Sequence, residues 1–381
     1  MNWRAAAATL LVGLGVLLWG IVPPHVMETG QLDPRDWLVP GAAGLVVLLL
    51  LLRWILKRWD GMAAILATLA MVLPPLILCL TGSAGQGGRL PAWLHPRPSA
   101  LPMAVSRPVV AVLSGPVLHG LAGRGAMQQG FARAPLWDAL SRSLDLRPVD
   151  AVTAGTLRDR AVLLVVQPRA LAPQELVALD SWVRMGGRGV LLVDPDLRWA
   201  DARPLGHPLR APSVTMLGPL MAHWGLKLAP VPPEASGGPV ERRMLADGRM
   251  IQIAGASHFI PSGSLCRVAS DGLVAQCVVG KGTAILVADA DFVNDALWTA
   301  DPAAPAQTRR WTSDAVAVLA DFLAPGTGEM AGRRVWLVRA DGLPVALRMA
   351  LGLLVLLVAG QVGWGALRQR WTKKRGVSQR E

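Results

Sequence analysis

RAVLLVVQPRALAPQELVALDSWVRMGGRGVLLVDPD, residues 160–196, decides the fold class. It opens on an unbroken apolar run, Arg160-Ala-Val-Leu-Leu-Val-Val166, that reads as a strand buried on both faces and ends in Gln167-Pro168. From Pro173 to Met185, Leu176, Leu179, Trp182 and Val183 fall on one helical face, and Gly186-Gly187 supply a C-cap. Gly189-Val-Leu-Leu-Val193 is a second apolar strand, closed by Asp194-Pro195-Asp196. Strand, helix and strand in immediate succession predict a right-handed βαβ unit and an α/β layer fold around a mainly parallel sheet.

Outward from this unit the same alternation continues. Pro108–Leu113 predicts a strand ending at Ser114-Gly115-Pro116, and a helix is expected over Pro135–Leu144. A helix over Thr215–Leu226, a strand over Met250–Ala254 and a strand over Gly282–Ala288 ending in Asp289-Ala290-Asp291 follow. Thr308–Leu323 predicts a last amphipathic helix, with Trp311, Ala315, Val318, Leu319 and Phe322 at helical spacing, and Arg334–Val338 a short strand. Residues 83–107, rich in Gly and Pro, read as a linker into a folded region at 108–340.

Between the predicted strands, Cys266 and Cys277 flank Asp271-Gly272, a strong two-residue hairpin signal. Pairing outward from that turn sets the two cysteines directly opposite, at a cross-strand separation that fits a disulfide. Two buried free thiols are the competing reading. The third cysteine, Cys79, lies in an apolar stretch.

Four such stretches, 5–22, 37–56, 61–80 and 343–367, frame the folded region. Each approaches the roughly 20 residues a helix needs to cross a bilayer, so each is expected to span one. The first reads as an uncleaved anchor, because Pro23-Pro24-His25 offers no small-x-small cleavage pattern. Arg4, the Arg53, Lys57 and Arg58 turn and the tail with Arg368, Arg370, Lys373, Lys374 and Arg375 put both termini in the cytoplasm and the folded region outside. The implied address is a bacterial inner membrane with a periplasmic domain. The net charge of +12 is concentrated in those short segments. It therefore reads as topology and lipid contact, and nucleic acid is not an expected partner.

Three segments resemble a known family. They are Leu171–Pro195, with its Pro-Gln-Glu helix start, double Gly and strand ending in Asp-Pro; Met216–Leu228, with its Leu-bearing helix ending in Gly; and Gly280–Asn294, with its Asp-x-Asp-Phe and nearby Asn. This pattern is similar to the extracytoplasmic domain of GldG-like, gliding-motility-type auxiliary proteins of ABC transporters and of membrane proteins with a glutamine-amidotransferase-like domain. The resemblance spans residues 160–298. It implies a flavodoxin-like, class I glutamine-amidotransferase-like sheet, and an ABC-type permease and ATPase as partners beside the lipid bilayer. The chain departs from that family in carrying three apolar stretches before the domain rather than one.

Ligands of open α/β sheets bind beyond the carboxyl ends of the strands. In this chain those ends present Ser114, Gly115, Gln167, Asp194, Asp196, Asp289, Asp291 and Asn294 as candidate contacts for a ligand or partner. The competing reading of the same Asp-Pro and Asp-x-Asp turns is that they cap helices or form Asx-turns. No catalytic residue is assigned. Ser114 with His119 or His258 as base lacks a Gly-x-Ser-x-Gly elbow, and oxidised cysteines are not nucleophiles. The six histidines show no metal spacing, and no nucleotide-binding or other cofactor motif is present. The expectation is a non-catalytic accessory subunit of a membrane transport complex. An envelope hydrolase and a purely structural anchor are the alternatives.

Overall fold

In the computed structural model the described residues are 28–32, 100–101, 103–104, 106–114, 118, 133–199, 201, 203–207, 210–231, 236, 238–255, 257–328 and 334–336. The chain divides into two units, 1–84 with 335–381 and 85–334. In the first, the described residues form an antiparallel pairing of Gln31–Leu32 with Val335–Trp336.

The second unit is built on a seven-stranded sheet. Five of its strands are parallel: β1 (Val109–Ser114), β2 (Asp145–Pro148), β3 (Val162–Val166), β4 (Arg188–Leu192) and β11 (Gly282–Val287). They lie in the order β2-β1-β3-β4-β11. At the far edge β10 (Val274–Val279) and β9 (Cys266–Ala269) add antiparallel to β11. Unbroken aliphatic runs suit the middle strands because both sheet faces are covered. Val112, Leu164 and Val190 are fully buried in adjacent register, as are Val165, Leu191 and Leu286 one residue on.

Helix α1 (Pro135–Leu140) precedes β2 and α2 (Ala154–Leu157) precedes β3, while α3 (Pro173–Arg184) joins β3 to β4. The start of α3 follows from Glu175, whose carboxylate accepts the Ala172 N–H at 2.9 Å. The helix buries Leu179, Trp182 and Val183, and the Trp182 indole donates to Arg160 O at 2.9 Å. It sits so close to β11 that a Cβ at Gly282 would overlap the carbonyl oxygens of Val183 and Gly187. Beyond β4 come α4 (Gly218–His223) and two ribbons, β5 (Leu226–Leu228) with β8 (Phe259–Pro261) and β6 (Glu241–Met244) with β7 (Met250–Ile253). The short α5 (Asp295–Trp298) and α6 (Ala315–Leu323) follow β11. Helix α6 is apolar all round and packs against β3, β4, β7 and α1.

These observations correct the expected fold class. The sheet is parallel through five strands but ends in an antiparallel hairpin at one edge, its helical cover is short, and antiparallel ribbons flank it. The four transmembrane helices of the sequence reading find no support here: among the described residues no helix is long and apolar enough to cross a membrane. The stretches 5–22, 37–56, 61–80 and 343–367 lie outside the described residues. The inner-membrane address, the periplasmic side of the domain and the membrane labels rested on those helices and are not carried forward.

Three element boundaries also differ, each for a tertiary reason. The helix expected to Leu226 stops at His223, because Gly225 takes φ 74° and Leu226 turns into a strand paired with β8. The helix expected from Thr308 is broken at 311–314: Trp311 bridges to Thr299, the Thr312 N–H donates to Trp298 O, and the Asp314 carboxylate takes the Met250 N–H. The first helix ends at Leu140 and the chain turns so that Leu144 is buried.

Candidate functional site

Strand order reverses between β1 and β3, so the connections leaving these neighbours diverge and open a crevice at their carboxyl ends. Ser114 closes β1 half-buried with its bonding needs met, while Gly115 and His119 lie outside the described residues. Gln167 closes β3 and is buried in the left-handed region at φ 38°. Its amide acts as a substitute strand. Nε2 donates to the carbonyls of Asp194 and Pro212, both at 3.0 Å, and Oε1 accepts the Asp194 N–H at 2.9 Å.

Asp194, Asp289 and Asp291 are each fully buried. Asp194 ends β4, and its oxygens accept the N–H groups of Asp196 and Ala290, both at 2.8 Å, so it ties the ends of β4 and β11 together. Asp289 accepts from Ala254 at 3.0 Å and from Phe292 at 2.7 Å, fixing the end of β7 and the helical turn Asp291–Val293. Asp291 Oδ2 accepts the Arg198 N–H at 2.9 Å, whereas its Oδ1 is buried with no hydrogen-bond partner. Burial raises all three carboxyls. Asp194 is pushed up to about 6, Asp291 to about 7 with Asp194 adding to the effect, and Asp289 well above the usual carboxylate range.

Over this buried layer lies a part-exposed rim. Asp196 Oδ2 accepts from Arg198 Nη2 and Ser236 Oγ, both at 3.3 Å, and Arg198 Nη1 donates to Gly238 O at 2.6 Å. Asn294 caps α5 by accepting the Ala296 N–H at 3.2 Å. Of the sequence candidates, Gln167, Asp194, Asp289 and Asp291 thus converge but face inward to backbone. Asp196 and Asn294 reach the surface. Sequence reasoning missed Arg198, whose partners Asp196 and Gly238 lie far apart along the chain; only its position two residues after Asp196 hinted at it.

Other chemistry proposed from sequence is placed elsewhere. Cys266 and Cys277 form a disulfide in the register set by the Asp271-Gly272 turn. His258 packs against that turn, where a Cβ at Gly272 would lie 2.6 Å from His258 Cβ. His223 is exposed at the end of α4, its Nε2 3.1 Å from Arg184 Nη2. Among the described residues no group of three His, Cys, Asp or Glu side chains is arranged to hold a metal ion.

No family model matches the chain, and no curated protein matches it. Similar solved structures include an exo-β-1,4-mannosidase from an Opitutaceae bacterium, at TM-score 0.31 and 13% identity over 49% of this chain and 32% of that one. A β-galactosidase from Rahnella follows at TM-score 0.31 and 14% identity, over 50% of this chain and 30% of the enzyme. A protein titled as cytoplasmic, from Salmonella typhimurium, matches at TM-score 0.30 and 9% identity over 56% of this chain and 97% of its own. The chain covers less than a third of either glycosidase. That the similar structures include hydrolases stands against the expectation of a protein without enzymatic activity, but at such TM-scores they assign no activity.

Proposed function

We propose that the 85–334 unit is a binding domain that takes up a ligand or partner protein along the carboxyl ends of β3, β4 and β11, and that it serves an ABC-type transport system. The observation that carries the first part is the two-layer edge. Buried carboxylates fix the loops by bonds to backbone N–H groups, and Asp196, Arg198, Ser236 and Asn294 stand above them at the surface. A rim fixed in advance loses little entropy on binding. The transport partners rest on the family resemblance of residues 171–294.

Affinity purification of the full-length protein from native cells, with mass spectrometry of what stays bound, tests both parts. A permease and an ATPase are expected in stable proportion, and Arg198→Ala is expected to reduce their recovery while the melting temperature stays within a few degrees. Recovery of neither subunit overturns the transport role. Covalent labelling of Ser114 by a serine-directed probe would move the function to the end of β1 as a hydrolase.

A further inference from the structure

Asp194, Asp289 and Asp291 offer six carboxylate oxygens to an interior that excludes water. Five of the six accept a backbone N–H, two on Asp194, two on Asp289 and one on Asp291. The sixth, Asp291 Oδ1, meets no donor. Arg198 donates its backbone N–H to Asp291, and its guanidinium bonds to Asp196 and to Gly238 O while acting on Asp291 through space. Three buried negative charges with one part-exposed guanidinium nearby, itself paired with Asp196, are untenable in such a place, so the group must retain protons. A hydroxyl oxygen is a poor acceptor, and on five of the oxygens a proton would weaken an existing N–H bond. Only Asp291 Oδ1 can take it without that loss.

We propose that these three aspartates form a proton-holding clamp, with the shared proton on Asp291 Oδ1, and that losing it loosens the loop after β4 from the turn after β11. The loops concerned are Asp194–Arg198 and Asp289–Asn294, which carry the exposed rim, so the clamp makes the shape of that rim depend on pH. Other groups facing it are few. The loop after β4 brings Asp196 paired with Arg198, α5 brings Asp295, itself raised by burial, and the ends of β3 and β7 bring Gln167, Ala254 and Gly255, which do not titrate. The sign follows from the direction of the shifts. Carboxyls raised above their unfolded value contribute stability that is fully present below about 3.8 and is lost as pH rises through about 6 for Asp194 and about 7 for Asp291. Within that window each retained proton is worth about a tenfold fall in the folding equilibrium constant per pH unit.

The test is denaturation of the full-length protein at pH 5, 6, 7 and 8, with infrared detection of the carbonyl band of a neutral carboxylic acid. The wild type is expected to lose stability across the series and to lose the band between pH 6 and 8. Asp291→Asn, which keeps an acceptor for Arg198 N–H and places an uncharged NH2 where Oδ1 lies, is expected to remove about one tenfold step per pH unit and to weaken the band, leaving what Asp194 and Asp289 contribute. Asp196→Asn is expected to leave both unchanged. Parallel stability profiles for wild type and Asp291→Asn, or a band of equal intensity in the two, overturn the proposal. Should that variant not fold, the wild-type band alone decides: its absence at pH 5 to 6 overturns the clamp.

Discussion

Asp291 and Asp314 are both buried aspartates just ahead of a helical segment, yet they are balanced in different ways. Asp314 Oδ2 accepts the Met250 N–H at 3.0 Å and Oδ1 meets Arg334 Nη1 at 3.1 Å, in a pair whose side chains are 3% and 2% exposed. The guanidinium lies 4.5 Å from the centre of the Trp311 ring, and Trp311 packs edge-on against Trp298 at 6.1 Å. At this site a cation, a carboxylate and an aromatic face close a local account of charge. Asp291 has the like charges of Asp194 and Asp196 near it, and its one hydrogen bond comes from the Arg198 backbone N–H; the Arg198 guanidinium acts on it through space without bonding to it. The difference teaches that burial alone does not set the behaviour of a carboxylate: the presence of a fixed cation decides whether the charge or the proton is kept.

The largest expected effect comes from breaking the balanced side. Arg334→Ala leaves Asp314 buried with no cation and strips the face of Trp311, and breaking one partner of a buried pair costs about 3–5 kcal/mol. The measurement is a denaturant titration with unchanged slope, so that the midpoint shift reads as stability. A loss below about 1 kcal/mol would mean that water reaches Asp314, and the contrast with Asp291 would disappear. Arg334→Met sharpens the point: it keeps an apolar stem over Trp311, so whatever loss remains belongs to the unbalanced charge.

A smaller effect is expected at the side without a cation. Gln167→Ala removes three hydrogen bonds that hold Asp194 and Pro212, and takes the partner from the buried Asp194 N–H and from the Pro212 carbonyl, while the Asp194 carbonyl keeps the Thr215 N–H. An unsatisfied buried group costs about 1–3 kcal/mol, and the left-handed backbone at φ 38° remains to be held by Ala. About 2 kcal/mol is expected from thermal or urea unfolding. Gln167→Glu tests the electrostatics of the same place, since it would add a carboxylate beside Asp194 and turn the two donated bonds into oxygen-to-oxygen contacts. Its cost is expected to grow from pH 5 to pH 8. A cost flat across that range would show that charge does not accumulate at the strand ends.

The two regions also differ in how far they were legible in the sequence. Strands β3, β4 and β11 and helix α3 announced themselves, because aliphatic runs bounded by Gly and Asp have few alternatives to a buried parallel strand. The hairpin register could be counted outward from Asp271-Gly272. Strand β2, Asp-Leu-Arg-Pro, could not: it is an edge strand whose identity comes from pairing with β1, and Pro148 is tolerated only because it lies at that edge. The ribbon of β5 and β8 joins Leu226–Leu228 to Phe259–Pro261 across a long separation, which periodicity does not reveal. At the site, the strand-end aspartates were visible as residues but not as a buried layer, since their partners are backbone N–H groups that carry no sequence signature. Arg334 was read as the start of a strand. Nothing local marks it as the counter-ion of Asp314, twenty residues earlier.

The smallest expected effect tests whether the comparison has been drawn in the right place, because it depends on Arg198 serving the rim and not the buried layer. Asp196 and Arg198 pair at 3.3 Å with side chains 32% and 22% exposed, so water screens them and the pair is worth about 0–1 kcal/mol. The Arg198 head is also held by Gly238 O and lies over Gly255, where a Cβ would come 2.6 Å from Nη2. Asp196→Asn should therefore leave the guanidinium where it is and lower stability by about 0.5 kcal/mol or less, with no change in the slope of stability against pH. The informative alternative is a flattened slope. That would mean that Arg198, released from Asp196, neutralises Asp291, and that the buried layer has a cation in reserve which the intact rim holds away from it.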